Sequence, residues 1–263
     1  MEFTWKDEPT APTLAPGATI LTSFPSAGLA TTVAGHYIVR ALKLARIARF
    51  ESTEMPPIAV IQNGIVHPPI RVYGRSDFAL VLSEFPPTPA QAVALARTLL
   101  QEATARRARW LLALEGVAPH PAGADDAPED LEMKVWSIAV PPGSPMTQLL
   151  VTAGAESLEE GVLGGVSGSL LVQALGRPLP VGVLLATAHA TEEFPDHRAG
   201  AALIETLDRV LPELKIDTGP LRAQAEEIEK ALRAVMKSHP GHGASPSAPA
   251  GETAASDPSQ MYQ

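Results

Sequence analysis

Four glycines spaced G-x-x-G-G-x-x-G, at Gly161, Gly164, Gly165 and Gly168, are the first residues whose spacing suggests chemistry. Clustered glycines let backbone amides approach a phosphate, and a helix N-terminus adds a favourable dipole. The stretch Leu163-Gly164-Gly165-Val166-Ser167-Gly168-Ser169 nevertheless falls short of every nucleotide or nucleophile pattern. A dinucleotide fingerprint needs G-x-G-x-x-G, and its first tight-turn pair is missing. A P-loop needs Gly-Lys-Ser/Thr, but Gly168 is followed directly by Ser169. A nucleophile elbow needs G-x-S-x-G, and Ser169 stands where the last glycine should be. The stretch therefore reads as a tight, closely packed turn before a helix over Leu170 to Leu175. Gly164, Gly165, Ser167 and Gly168 are the residues that would face an anion or small ligand.

A second cluster is His189, Glu192, Glu193, Asp196 and His197. Such residues can hold a metal or exchange protons. No H-E-x-x-H spacing is present, and the acids stand where a helix begins, where carboxylates stabilise the N-terminus anyway. Helix capping and solvated charge is the preferred reading. His36, on a predicted helix, reads as a core or interface histidine. His239 and His242 lie in the tail and could bind stray metal, with no role expected. No complete catalytic constellation emerges, so the chain is expected not to be an enzyme and to need no cofactor or metal. A small-molecule enzyme, nucleoside phosphorylase-like or a hydrolase, centred on Gly164–Ser169 and Glu192–His197, is the alternative.

The third candidate is the end of the chain, Met261-Tyr262-Gln263. It follows a stretch, Ser238 to Gln260, built almost entirely of Ser, Ala, Pro and Gly. Such a composition cannot bury enough apolar surface to offset its ordering entropy and is expected to stay mobile. A thioether, an aromatic ring and a carboxylate at the tip of a mobile tether read as a docking peptide.

The elements that would position these residues alternate. Ala18 to Ser23 is a short aliphatic and β-branched run, expected as a buried strand. A helix follows with Leu29, Val33, Tyr37 and Ile38 near the helical period, then a strand near Ile47–Glu51. Short β-like pieces at Ile58–Ile61, Ile70–Tyr73 and Phe78–Leu82 are joined by turn signals such as Asn63-Gly64. Thr88-Pro89 opens a helix to about Arg107, followed by strands at Trp110–Leu114 and Val135–Val140. Pro119 to Asp130 reads as a surface loop, and Ser144-Pro145 as a short helix start. Val181–Ala186 is strand-like, and amphipathic helices are expected over 195–211 and 221–236. This order predicts an α/β fold: a three-layer α/β/α sandwich around a mostly parallel or mixed sheet, plus a disordered C-terminal tail. The predicted organisation is an irregular lead-in over 1–17, one domain over 18–237, and a tail over 238–263.

Composition narrows the function classes. The net charge of −9 leaves little basic surface for nucleic acid. Arg106-Arg107-Ala108-Arg109 is better read as cations at a helix C-terminus. No apolar run approaches the about 20 residues a membrane helix requires. The start, Met1 to Glu8, is acidic and broken by Pro9, unlike a signal peptide. There is no cysteine, which excludes disulfides and thiol chemistry. A cytoplasmic protein is expected.

Four segments resemble the PAC2 family, the proteasome assembly chaperone fold, and its archaeal members in particular. They are Phe24-Pro25-Ser26-Ala27-Gly28-Leu29-Ala30, Gly161 to Leu171, Phe194-Pro195-Asp196-His197-Arg198-Ala199-Gly200-Ala201-Ala202, and Ile216-Asp217-Thr218-Gly219-Pro220-Leu221 leading into Ala225 to Glu229. Family members usually carry Pro where His197 stands. The resemblance implies an α/β/α fold, homo-oligomers, and ATP-independent action on the proteasome core particle as chaperone or activator. Some relatives have carried an ATP-grasp label, for which this sequence has no ATP-binding signature. It further implies that the hydrophobic-Tyr-any ending, Met261, Tyr262 and Gln263, docks between neighbouring α subunits of the 20S ring.

Overall fold

Strands with apolar residues on both faces need cover on both sides, and this dictates the layering. The computed structural model describes residues 2–118, 132–189 and 195–238; at 229 and 231–238 it describes the backbone. The chain divides into two units, Met1–Glu226 and Glu227–Gln263. The first carries a nine-stranded sheet. Its parallel centre is β7 (Phe78–Ser83), β2 (Thr19–Ser23), β8 (Trp110–Val117) and β11 (Val181–Thr187), adjacent in that order. On one flank β6 (Ile70–Arg75), β3 (Ala45–Glu51) and β1 (Thr4–Asp7) continue the sheet, each antiparallel to its neighbour. On the other flank β9 (Val135–Val140) runs antiparallel to β11, and the two-residue β10 (Glu156–Ser157) is parallel to β9.

Alternate residues of the central strands enter two separate cores, as the period-2 geometry requires. Leu21, Leu112, Leu114 and Leu184 join one core with α1 (Ala30–Ala41), α3 (Pro145–Thr152) and α5 (His197–Val210). Ile20, Leu111, Ala113 and Val183 join the other with α2 (Pro89–Ala105) and α4 (Gly165–Ala174). The result is the expected three-layer α/β/α sandwich on a mixed sheet. The first unit ends within α6 (Gly219–Ser238), whose Leu221 and Ala225 are buried. A separate two-stranded hairpin, β4 (Val60–Gln62) and β5 (Ile65–His67), turns at Asn63-Gly64, both with positive φ, as a two-residue hairpin turn demands.

Local chemistry explains several boundaries. Thr88 and Gln91 form a reciprocal capping box at α2, with Pro89 in the first turn. Residues 1–17, expected to be irregular, instead contain β1. Phe3 and Trp5 are buried there, Trp5 meets Phe50 edge to face, and the Arg106 guanidinium lies over the Trp5 ring. The four-residue strand is too short for a periodicity reading, and its pairing with β3 is non-local. Among the described residues no helix is long and apolar enough to cross a membrane. Pro119 to Asp130 and the tail from 239 onward lie outside the described residues.

Candidate functional site

In open α/β sheets, ligand chemistry collects at the carboxyl ends of the parallel strands. Here that edge is formed by the segments after β2, β8 and β11. Thr31 donates to the Phe24 carbonyl at 2.5 Å, and the Ser26 and Thr31 hydroxyls lie 3.0 Å apart. Ser26 Oγ in turn accepts from the Gly116 amide at 2.9 Å, tying the β2 exit to the β8 end. The Asp196 amide donates to the Gly28 carbonyl at 2.7 Å, tying the β2 exit to the start of α5. Gly28 has φ +61°, and a Cβ there would stand 2.7 Å from the His189 carbonyl oxygen, so this crossing needs glycine.

Asp196 is the N-cap of α5. Its Oδ1 accepts from the Ala199 amide at 2.9 Å, and its Oδ2 accepts from the His189 amide at 3.0 Å and lies 2.8 Å from His189 Nδ1. The carboxylate is consumed by backbone and imidazole, which is the capping role expected from sequence. His197 Nδ1 lies 2.8 Å from the Pro195 carbonyl instead of joining that pair. Glu192 and Glu193 lie outside the described residues. Among the described residues no group of three His, Cys, Asp or Glu could hold a metal ion.

The glycine-rich stretch differs from its sequence reading. α4 begins at Gly165 with Gly164 as N-cap, so Ser167 and Gly168 lie in its first turn and not in a turn preceding a helix at Leu170. Low helix propensity of Gly-Val-Ser-Gly hid that turn, and tertiary packing overrode it. A Cβ on Gly168 would lie 2.1 Å from the Leu163 carbonyl oxygen, so the glycine serves a close backbone approach. Ser167 is buried and donates to Glu115 Oε2 at 2.6 Å. Burial pushes the Glu115 carboxyl up to about 7, with the Ser167 hydrogen bond pulling the other way. Ser167 thus partners a half-buried carboxyl on β8, and its donor is spent there. The signal available for Glu115 was one charged residue inside an otherwise apolar strand.

A further buried network went unread in the sequence. Beside the carboxyl end of β7, Arg71 is fully buried on β6 and donates to the Pro68 carbonyl at 3.1 Å, to the Tyr73 hydroxyl at 3.1 Å and to Glu84. His36 Nε2 lies 3.1 Å from the same Glu84 oxygen. Burial raises the Glu84 carboxyl, but hydrogen bonds and charge from His36 and Arg71 outweigh it and leave it below the usual range. The available signal was Arg71 between Ile70 and Val72 in a run whose other members face a core. β2 and β7 lead to helices on opposite sides of the sheet, so the topological switch point lies between their carboxyl ends, and Glu84 follows directly on β7.

The structure brings together the segments carrying the family resemblance. Phe24–Ala30 is bonded to the β8 end and to Asp196, and Ser167 reaches the same β8 end from the glycine-rich segment. The fourth segment holds the start of α6: the Ile216 amide donates to Asp208 at 2.8 Å, Tyr37 donates to the Asp217 carbonyl at 2.5 Å, and Arg222 pairs with Glu205. Met261, Tyr262 and Gln263 lie outside the described residues.

Comparison with known proteins agrees with this architecture. The uncharacterized protein MJ0106 of Methanocaldococcus jannaschii is 28% identical over 222 residues, covering 84% of this chain and 86% of that protein. Pyrococcus furiosus PbaA, an archaeal homolog of proteasome-assembly chaperone, superposes with a TM-score of 0.76 at 24% identity, over 90% of this chain and 93% of that one. Pyrococcus furiosus PbaB, an archaeal proteasome activator, gives 0.70 at 20% identity, over 89% and 98%. A model of the PAC2 family matches residues 20–236, nearly the whole folded body, and the chain belongs to the PAC2 family.

Proposed function

We propose that this chain is a proteasome-binding chaperone or activator that acts without ATP or another cofactor, in the cytoplasm. The observation that carries the reading is the PAC2 family match over residues 20–236. Fold likeness to an archaeal proteasome activator and to an assembly-chaperone homolog supports it.

The docking element is Met261-Tyr262-Gln263, with 20S α subunits as partner. Met261 fills an apolar groove, the Tyr262 ring packs while its hydroxyl finds a partner, and the Gln263 carboxylate pairs with a lysine of the pocket. The reading requires that Gln263 carry the free carboxylate. A Ser/Ala/Pro/Gly tether of this length has an r.m.s. reach of roughly 25–30 Å, enough to search neighbouring pockets. A homo-oligomer presents several tails at once, which raises avidity by roughly 10²–10⁴ over one peptide.

The test compares the full chain, a chain ending at Gln260, and Tyr262→Ala, by co-sedimentation with the cognate 20S particle and by its peptide hydrolysis. Binding and stimulation by the full chain alone are expected. Equal behaviour of all three would sink the tail mechanism.

A further inference from the structure

The β4–β5 hairpin stands apart from the nine-stranded sheet, and among the described residues a single side-chain hydrogen bond ties it there. Arg46, on β3, places Nη1 3.1 Å from Nδ1 of His67, the last residue of β5. A guanidinium can only donate, so His67 Nδ1 must be the acceptor. The imidazole is therefore neutral, with its proton on Nε2. A bulge in the β3–β6 register between Arg46 and Ala48 sits beside this contact, and bulges redirect side chains. Arg46 is anchored from the other side by Glu8, whose Oε1 lies 3.0 Å from Arg46 Nε. Pro12, Ala45 and Ile65 line the cleft around the contact.

We infer that the Arg46–His67 hydrogen bond is an acid-sensitive latch on the β4–β5 hairpin: protonation of His67 turns the acceptor into a cation facing a guanidinium and releases the hairpin from the sheet. Every charged group around the imidazole enters the balance. Arg46 on β3 and Arg71 on β6 oppose a proton on His67, Glu84 after β7 favours it, and Glu8 neutralises Arg46. Burial and the two arginines outweigh Glu84 and hold the His67 imidazole below its ordinary value. The open hairpin then binds the proton more tightly than the latched one. The latch is intact above the ordinary histidine value of about 6.5 and weakens as pH falls through the lowered one. One proton limits the growth of the open population to at most about tenfold per pH unit.

Once released, the hairpin has little to hold it. Its strands are three residues each, with three pairs from Val60↔His67 to Gln62↔Ile65. A lone two-stranded hairpin is marginal in water. Ile61, Ile65 and Val66 are already exposed, so no buried apolar core resists opening.

Amide hydrogen exchange on the full chain between pH 7.5 and 5.0, corrected for intrinsic rates, tests the latch. Amides in residues 60–67 should lose protection with acid while Leu111 to Leu114 keep theirs. His67→Gln retains an acceptor for Arg46 but cannot gain a proton, so its hairpin protection should be flat with pH. All other titratable groups are unchanged in that variant, which separates their effect from that of His67. Arg46→Met should show the acid pattern already at pH 7.5. Unchanged wild-type protection at pH 5.0, equal acid opening in His67→Gln, or nitrogen NMR placing the neutral ring's proton on Nδ1 would each overturn the inference.

Discussion

Replacing Glu115 by glutamine should stabilise the protein, and the gain should grow with pH. Glu115 sits on β8 between the two helical layers with Ser167 as hydrogen-bond partner, and its carboxyl is held at about 7 against an ordinary 4.5. Burial is the cause, so ionising this group in the folded protein costs free energy that the unfolded chain does not incur. A difference of about 2.5 at about 1.36 kcal/mol per pKa unit corresponds to about 3 kcal/mol. The folded value is the raised one, so the native state holds the proton more tightly. Stability from this group is fully present below pH 4.5, declines as pH rises, and is lost once pH passes about 7. Glutamine keeps an oxygen to accept from Ser167 but has no charge to bury. Thermal melts of the wild type and Glu115→Gln at several pH values isolate the effect, because every other titrating group cancels in the difference. The two should melt nearly together at pH 4.5 and diverge up to pH 8. At roughly 2–4 °C per kcal/mol for a chain of this size, the separation at pH 8 should be about 6–12 °C as an upper range, since water entering the site would relieve part of it. A melting difference that stays constant from pH 4.5 to 8 would refute the reasoning.

The remaining expectations follow from single contacts. Gly168→Ala should destabilise the fold by about 1–3 kcal/mol, read as a lower denaturant midpoint, because the added methyl meets the Leu163 carbonyl. Arg71→Met removes the buried cation from Glu84 and should cost about 3 kcal/mol in chemical unfolding at neutral pH, with much of the loss recovered by adding Glu84→Gln. Asp196→Ala should cost about 1–2 kcal/mol through the lost cap of α5, read as a lower denaturant midpoint. For the proposed tail, one residue added after Gln263 should abolish co-sedimentation with the 20S particle by displacing the carboxylate.

Much of the architecture was legible without coordinates because it rests on local codes. The aliphatic run at Ala18–Ser23 and the Thr88-Pro89 helix start each dictate backbone geometry within a few residues, and both elements stand where their codes placed them. The Asn63-Gly64 turn also forms, but it joins Val60–Gln62 to Ile65–His67, a strand not expected from the sequence. Asp196 as a helix cap belongs with them. The Met261-Tyr262-Gln263 ending is also a local signal, and its partner lies on another molecule.

What the sequence by itself determined is therefore the alternation of strands and helices, the three layers it requires, and the four segments that mark the family. Tertiary structure decided the rest, because its causes are non-local. β1 exists because Phe3 and Trp5 find a core completed by Phe50 and Arg106. Ser167 is a partner for a carboxyl 52 residues away, and helix α4 forms through Gly-Val-Ser-Gly against its own propensity. Arg71, Glu84 and His36 form one network only where β6, β7 and α1 meet, and His67 becomes an acceptor for Arg46 only where the hairpin meets β3. A side chain's charge state and hydrogen-bonding role depend on what surrounds it in space, and chain order alone does not specify those neighbours.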